Sequence, residues 1–167
     1  MIKFENVSVT YPGGVEALKD LNLEIKDGDF IIIVGLSGAG KSTLLRTVNN
    51  LVKPSTGSVY LEGKNVTSAK KKELKKIRSQ IGMIFQTFNL VNRSTVLKNV
   101  LTGRLSNIST IRSILGLWPK DQKEMAFEAL NQVEILEKAY VRASNLSGGQ
   151  QQRVGIARAL SQKPKVM

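Results

Sequence analysis

The sequence contains neither cysteine nor histidine, and these two absences exclude several kinds of chemistry. Without cysteine there is no disulfide, no thiolate nucleophile and no cysteine ligand for zinc. Without histidine there is no Ser-His-Asp triad and no imidazole base. Catalysis by this chain therefore depends on carboxylates, lysine, hydroxyl groups, backbone dipoles or a bound cofactor. The absence of cysteine also suits a reducing cytosol.

Long apolar runs are absent as well. The longest is Phe30–Val34, whereas a membrane-spanning helix needs about 20 apolar residues. The N-terminal segment, Met1–Thr10, has acidic and polar residues where a signal peptide needs an apolar stretch. Apolar residues still make up 41% of the 167 residues, which is enough for one packed core. We therefore expect a single domain, residues 1–167, of a soluble cytosolic protein.

Acidic side chains are few: 13 of them oppose 25 lysines and arginines, so the formal net charge is +12. This excess favours a partner with negative charge, such as phosphate, nucleic acid or a lipid surface. Half of it lies between Lys64 and Arg78, where Glu73 is the only acidic residue. We interpret this stretch as the solvated face of a lysine-rich helix. Nucleic-acid binding is the alternative, although the stretch lacks aromatic residues that would stack on bases.

Hydrophobic spacing predicts both strands and helices. Phe30–Val34 is apolar throughout, which is typical of a strand buried on both faces of a parallel sheet. Alternating or short apolar runs predict further strands at residues 2–9, 21–25, 59–61 and 81–85. Helices are predicted at residues 41–51, 68–79, from Pro119 onward and at 150–160. The apolar face of the helix after Pro119 is expected to comprise Met125, Ala129, Val133 and Leu136.

One segment carries a specific phosphate-binding pattern. Residues 35–42, GLSGAGKS, match the P-loop pattern G-x-x-x-x-G-K-[ST] between a predicted strand and a predicted helix. Glycines let backbone N–H groups converge on a polyphosphate, and the helix N-terminus adds positive charge. We expect Lys41 to reach the β- and γ-phosphates and the Ser42 hydroxyl to bind Mg²⁺, with Thr43 beside it. The other predicted nucleotide contacts in the loop are Gly35, Leu36, Ser37, Gly38, Ala39 and Gly40.

A second segment also combines a hydroxyl group, two glycines and the start of a helix. It is Leu146–Gln150, LSGGQ, and it lies more than 100 residues after the P-loop. A helix N-terminus of this kind binds anions. Two such starts in one small domain are unusual, so we expect the second to complete the nucleotide site of another copy. The predicted contacts are Ser147, Gly148, Gly149 and Gln150.

LSGGQ and the following QQRVGIARAL resemble the signature of ABC-type ATPases. In that resemblance, Tyr11 corresponds to the aromatic residue that stacks on adenine, residues 35–42 to the Walker A loop, and Gln86 to the Q-loop. It implies an α/β fold of the P-loop NTPase class, with an N-terminal antiparallel β subdomain and a helical subdomain. It also implies ATP and Mg²⁺ as cofactors, Lys41 and Gln86 as catalytic residues, and Ser42 and Gln86 as metal contacts.

The resemblance further implies partners and a location. In the family, two ATPase domains dimerise head to tail, and each ATP lies between the Walker A loop of one copy and the signature of the other. Closure pushes on permease subunits in the membrane, which dock near the Q-loop at residues such as Phe88, Asn89 and Leu90. The implied location is cytoplasmic, peripheral on the inner face of the cell membrane. A solute-binding protein takes part indirectly, and no nucleic acid is expected.

Three segments, at residues 99–105, 109–110 and 116–120, resemble the ATP-binding subunits of phosphonate importers. The implied function is ATP binding and hydrolysis coupled to the import of a phosphonate or related oxyanion. One alternative is a nucleotide-binding regulatory module without hydrolysis. The other is a DNA-associated ABC ATPase, whose DNA-repair forms carry a coiled coil between the two motifs, and no heptad run occurs here.

The family pattern continues past the last residues of this sequence. Lys165–Met167 resembles the start of the strand that leads to the Walker B aspartate, a following glutamate and, later, a switch histidine. Phosphoryl transfer depends on metal ligands and on positioning of the attacking water. We therefore expect the chain to be C-terminally truncated before the Walker B motif, able to bind nucleotide but inactive in hydrolysis by itself.

Overall fold

An antiparallel sheet organises the first half of the computed structural model, which describes residues 1–167. The chain divides into an N-terminal unit, Met1–Arg78, and a C-terminal unit, Ser79–Met167. The strands of the N-terminal unit are β1 (Ile2–Thr10), β2 (Glu16–Ile25), β3 (Thr56–Leu61) and β4 (Lys64–Asn65). Their order across the sheet is β2-β1-β3-β4.

Helices complete the N-terminal unit and make up most of the C-terminal unit. The N-terminal unit contains α1 (Lys41–Val48) and α2 (Lys71–Arg78). The C-terminal unit contains α3 (Val96–Leu101), α4 (Thr110–Ile114), α5 (Lys120–Gln132) and α6 (Gly148–Leu160). Shorter 3₁₀ turns lie at Thr102–Asn107, Leu136–Lys138 and Ala143–Asn145. None of the helices has both the length and the apolar character needed to span a membrane.

The central strand β1 holds the sheet together, because it pairs with β2 on one side and β3 on the other. Its apolar residues are buried, and they are Ile2, Phe4, Val7 and Val9. The register shifts between Phe4 and Val7, where Asn6 has a φ of 48°. This bulge keeps both halves of the strand facing the core. The predicted strands at 2–9, 21–25 and 59–61 are therefore confirmed.

In the C-terminal unit, α3, α5 and α6 pack around one apolar core. The predicted helix after Pro119 is confirmed as α5, and its predicted apolar face is correct at Ala129, with Val133 packed against the core, but wrong at Leu136. The buried apolar residues of α5 are Ala126, Ala129 and Leu130, whereas Leu136 is 39% exposed. The predicted face extends past the helix: α5 ends at Gln132, so the 3.6-residue period does not apply to Val133 and Leu136.

A buried arginine ties the 3₁₀ turn after α3 to both long helices. Arg104 is 5% exposed. Its Nε donates to Gln122 Oε1 at 2.8 Å, and its Nη1 donates to the Ser161 carbonyl at 2.7 Å. Burial lowers the pKa of the Arg104 guanidinium from its usual value. The charge is accommodated by these hydrogen bonds, since a buried charge without partners is costly.

The predicted buried strand at Phe30–Val34 is wrong. This segment is not part of a strand, and Phe30 and Val34 are 87% and 86% exposed. A strand forms only where a neighbour completes its backbone hydrogen bonds, and no segment of residues 1–167 pairs with it. An apolar run therefore shows that a segment can form a buried strand, but it forms one only where a neighbouring strand pairs with it.

The predicted strand at 81–85 forms only in part. Ile81 makes a single parallel bridge with Val166, and residues 82–85 are irregular. The Gly82 N–H donates to the Val166 carbonyl at 2.8 Å, and the Lys165 N–H donates to the Gln80 carbonyl at 2.9 Å. Parallel pairing, expected for the sheet, is thus limited to this bridge. The predicted helices at 41–51, 68–79 and 150–160 are confirmed with slightly different ends.

Gly57 provides a test of how closely β1 and β3 approach each other. A Cβ atom at Gly57 would lie 2.2 Å from the Asn6 carbonyl oxygen, and its φ is +77°. We expect Gly57→Ala to destabilise the protein by about 2–4 kcal/mol, because both the clash and the backbone conformation oppose it. Urea unfolding measures this change.

Gly63→Ala is the matched control. Gly63 has a similar φ of +73°, but a Cβ atom there meets nothing within 4 Å. Its expected cost is about 1 kcal/mol, from backbone strain alone. Equal unfolding midpoints for the two variants would contradict the close approach of the two strands.

Candidate functional site

The P-loop connects to α1 through a glycine that cannot carry a side chain. Gly40 has a φ of +79°, and a Cβ atom there would lie 2.2 Å from the Ala17 carbonyl oxygen and 3.2 Å from Leu18 Cδ2. The backbone of β2 therefore supports the end of the loop directly. Because the approach is backbone to backbone, it sets the position at which α1 begins.

Lys41 folds back over the loop that precedes it. Its Nζ donates to the Gly35 carbonyl at 2.7 Å and to the Leu36 carbonyl at 2.6 Å. An ammonium group has three donors, so one remains for a further acceptor. The positive charge is thereby held above residues 35–40, the loop that the sequence predicts to surround phosphate.

The N-terminus of α1 has no side-chain cap. Gly40 is the N-cap residue, and no side chain accepts a hydrogen bond from the first turn. The uncapped N–H groups carry the positive end of the helix dipole, which favours an anion. The Ser42 side chain, in the same turn, is exposed and offers a hydroxyl oxygen, a ligand type that suits Mg²⁺. The donor set therefore fits a polyphosphate with its metal ion.

Tyr11 lies beside the same helix turn. Its hydroxyl is 3.2 Å from Thr43 Oγ1, within hydrogen-bond distance. Thr43 is 7% exposed, whereas Tyr11 is 37% exposed and keeps much of its ring accessible. The structure thus brings three predicted site elements together in the N-terminal unit: Tyr11, the P-loop and the start of α1. The sequence did not predict the hydrogen bond between Tyr11 and Thr43.

The second motif begins α6 in a different way. Ser147 caps the helix: its Oγ accepts from the Gln150 N–H at 3.3 Å, and Gln150 Oε1 accepts from the Ser147 N–H at 3.0 Å. In this reciprocal capping box, both side chains accept hydrogen bonds from backbone N–H groups at the helix start. Gly148 and Gly149 are exposed, and a Cβ atom at either would meet nothing within 4 Å. The Ser147 hydroxyl still has its proton to donate, and the two glycines leave backbone N–H groups accessible.

Gln86 begins a turn with an unusual backbone. Its side chain is exposed. The Phe88 N–H donates to the Phe85 carbonyl at 3.0 Å, and both Phe88 and Asn89 have positive φ, at 53° and 47°. For residues with a Cβ atom, this left-handed conformation costs about 1–2 kcal/mol each. The turn that follows Gln86 therefore needs support from elsewhere in the unit.

Arg158 of α6 supplies that support. Its Nη1 donates to the Asn89 carbonyl at 2.9 Å, and its Nη2 donates to the Phe88 carbonyl. Burial lowers the pKa of the Arg158 guanidinium from its usual value. Gly155, one turn earlier on α6, faces the Phe88 side chain. Sequence reasoning treated Arg158 only as part of the signature-like segment and missed this contact. The only indication in the sequence is that an arginine lies on a helix face whose other residues are small and apolar.

Comparison with known families identifies the chain. The family model described as "ABC transporter" matches residues 18–167. The chain belongs to this family. The resemblance inferred from LSGGQ and the P-loop is therefore confirmed, as is the fold class that it implied, an antiparallel β subdomain with a helical subdomain.

Several relatives within the ABC transporter family match the whole chain. It is 59% identical to the phosphonates import ATP-binding protein PhnC of Bacillus thuringiensis subsp. konkukian, over 100% of this chain and 65% of that protein. It is 53% identical to PhnC 3 of Halalkalibacterium halodurans, again over 100% of this chain and 65% of that protein. The chain thus spans about 65% of the length of these curated relatives.

Solved ABC cassettes have the same fold. A structure titled as the post-hydrolysis dimer of the ATP-binding cassette MJ0796 bound to ADP and Pi matches with a TM-score of 0.85 at 39% identity, over 98% of this chain and 71% of that one. Another dimeric structure of MJ0796 matches with a TM-score of 0.86 at 39% identity, with the same coverage. The first title records ADP and Pi bound to that cassette.

The contact between Arg158 and the turn after Gln86 leads to a prediction. We expect Arg158→Met to accelerate amide hydrogen exchange in residues 86–90 by about tenfold or more, because the two carbonyls lose charged donors worth about 1.5–3 kcal/mol each. Hydrogen exchange read by mass spectrometry measures this change.

Arg153→Met is the control on the same helix. Arg153 donates to the Val133 carbonyl at 3.0 Å and has no hydrogen bond to the turn. Its variant should leave exchange in residues 86–90 unchanged. If the two variants alter these residues equally, or neither does, Arg158 is not the support of the turn.

Proposed function

We propose that residues 1–167 are a portion of one ABC-type ATP-binding domain and that they bind ATP with Mg²⁺ at the P-loop. The observation that carries this proposal is the geometry at the start of α1. There an uncapped helix N-terminus, a folded-back lysine at position 41 and the exposed Ser42 hydroxyl occupy one loop and one helix turn. Membership in the ABC transporter family supports the same reading.

Each predicted residue then has a chemical role. Backbone N–H groups of residues 35–40 and the α1 dipole would hold the phosphates, and Lys41 would neutralise the β- and γ-phosphate oxygens. Ser42 and Gln86 would hold the Mg²⁺, which supplies charge neutralisation and orientation to the phosphates. Gln86 would also position the attacking water. The accessible ring of Tyr11 would stack on adenine.

A second copy would complete the nucleotide site. Ser147, Gly148 and Gly149 present a hydroxyl and backbone N–H groups at a helix start, while Gln150 braces that start through the capping box. We propose that this surface contacts the nucleotide bound by another copy in a head-to-tail dimer. Two similar cassette structures are titled as dimers, which supports dimerisation.

In the full-length protein, we propose, ATP binding and hydrolysis drive import of a phosphonate or related oxyanion. Support comes from relatives named as phosphonates import ATP-binding proteins, which are 53–59% identical over the whole chain. The partners would be permease subunits, contacted near Phe88, Asn89 and Leu90, with a solute-binding protein acting indirectly. The protein would then lie on the cytoplasmic face of the membrane.

Nucleotide binding is tested at Lys41. We expect Lys41→Ala to weaken binding of a fluorescent ATP analogue by about 10- to 100-fold, because one charge-assisted hydrogen bond to phosphate is worth about 1.5–3 kcal/mol. Lys53→Ala removes an exposed lysine outside the P-loop and serves as the control. Equal affinities of the two variants would remove the basis for a phosphate role of Lys41.

The importer function is tested in cells. In a bacterium whose own copy of the gene is deleted, the full-length protein should restore growth on methylphosphonate as the sole phosphorus source. The full-length protein with Lys41→Ala should fail to do so, and both strains should grow equally on inorganic phosphate. Growth on methylphosphonate with the Lys41→Ala protein would contradict the proposal that ATP use drives this import.

A further inference from the structure

A cluster of aliphatic side chains projects from the C-terminal unit at α4 and the loop after it. We call this cluster the apolar tip. Its members, with exposures of 73%, 79%, 64% and 58%, are Ile111, Ile114, Leu115 and Leu117. Contiguous exposed aliphatic residues are a feature of interaction surfaces.

Neither the core nor the nucleotide site accounts for the apolar tip. Helix α4 has no buried residue. The segment is anchored on both sides: Arg104 is buried before it, and Trp118, after it, packs against the core of α3, α5 and α6. The tip is therefore held in place by its flanks while its own side chains face solvent. The predicted nucleotide and permease contacts, Tyr11, residues 35–43, residues 86–90 and Ser147–Gln150, lie elsewhere in the sequence.

Beside the apolar tip, the charged side chains that form no salt bridge are positive. Arg112 lies within α4, between Ile111 and Ile114, and Lys123 lies in the first turn of α5. Both are exposed, and neither takes part in any of the salt bridges. The nearby acids are engaged instead. Asp121 accepts from Gln122 Nε2 at 2.6 Å, and Glu124 lies 3.8 Å from Lys120 Nζ.

These two cations and the only tryptophan of the chain line the same pocket. It has a volume of about 300 Å³ and is lined by Arg112, Gly116, Leu117, Trp118, Pro119 and Lys123. Two cations and an indole ring at its wall suit a phosphate headgroup lying over an apolar layer. Tryptophan favours this boundary, because its ring is apolar and its N–H needs a polar partner.

We propose that the apolar tip inserts into the surface of a bilayer containing anionic phospholipid, with Arg112 and Lys123 at the headgroup phosphates. In a membrane interface, aliphatic side chains lie in the acyl layer, while cations and tryptophan lie at the headgroups. The exposed aliphatic side chains of the apolar tip, with cations and a tryptophan beside them, fit this arrangement. The inference goes beyond the proposed function, since it requires neither nucleotide nor permease.

Vesicle binding tests this proposal on the purified chain. The probes are vesicles of phosphatidylglycerol and phosphatidylcholine, and vesicles of phosphatidylcholine alone, without nucleotide. We expect sedimentation with the mixed vesicles and little with the neutral ones. Because Trp118 is the only tryptophan, its emission should shift to shorter wavelength on binding, and lipids brominated near the headgroup should quench it.

Paired variants assign the binding to the apolar tip. We expect Ile111→Ser with Ile114→Ser to weaken partition into mixed vesicles by at least about tenfold, because two aliphatic side chains leave the interface. Arg112→Gln with Lys123→Gln should weaken it and reduce its sensitivity to salt. The control pair, Val15→Ser with Leu51→Ser, removes aliphatic side chains that are 63% and 49% exposed elsewhere, and should not change it. Circular dichroism confirms that all variants remain folded.

Three outcomes would overturn the proposal. One is the absence of binding to mixed vesicles. Another is binding without a change in Trp118 emission. The third is loss of binding in the variant with Lys71→Gln and Lys72→Gln on α2, together with unchanged binding in the variant with Ile111→Ser and Ile114→Ser. That result would place the lipid-binding site on the lysine-rich helix α2. Loss of ATP binding with Lys41→Ala bears only on the nucleotide site, so the two proposals fail separately.

Discussion

The P-loop segment, residues 35–42, depends on one close contact between the backbone at Gly40 and the backbone at Ala17. Gly40 approaches the Ala17 carbonyl so closely that no Cβ atom fits between them. This contact places the start of α1 against β2, and the first turn of α1 carries Lys41, Ser42 and Thr43. The β1–β2 hairpin contributes a second contact, since Tyr11 at its turn reaches Thr43. One hairpin thus supplies both the support for the loop and the aromatic ring beside it.

In the C-terminal unit, α6 links two parts of the predicted machinery. Its N-terminus forms the capping box of Ser147 and Gln150, and its later turns carry Arg158, which holds the turn after Gln86. A shift of α6 along its axis would move both ends together, because a helix of 13 residues behaves as a rigid rod on this scale. The signature-like segment and the turn after Gln86 are therefore connected within this unit through Arg158.

Most helices and the antiparallel strands could be predicted because their signals are local. A P-loop glycine, a capping residue and a period of 3.6 or 2 residues act within one or two turns of chain. These signals were sufficient for α1, α2 and α6 and for the β1–β2 hairpin, and the motifs correctly indicated the family. They failed at the C-terminal end of α5, where the predicted apolar face continued past Gln132 to Leu136, and they did not identify Ala126 and Leu130, which pack in the core.

The sequence by itself determined the chemical groups within these 167 residues: a P-loop pattern, a second glycine-rich helix start, an excess of positive charge, and no thiol or imidazole. Only the tertiary structure decided which residues support one another. Phe30–Val34 does not form a strand, because pairing depends on a neighbour and not on composition. Arg158 reaches the Phe88–Asn89 turn across a separation of about 70 residues. The apolar tip is exposed because its flanking residues, and not its own, enter the core. Local spacing carries no information on such contacts, because they form only when distant segments are packed together.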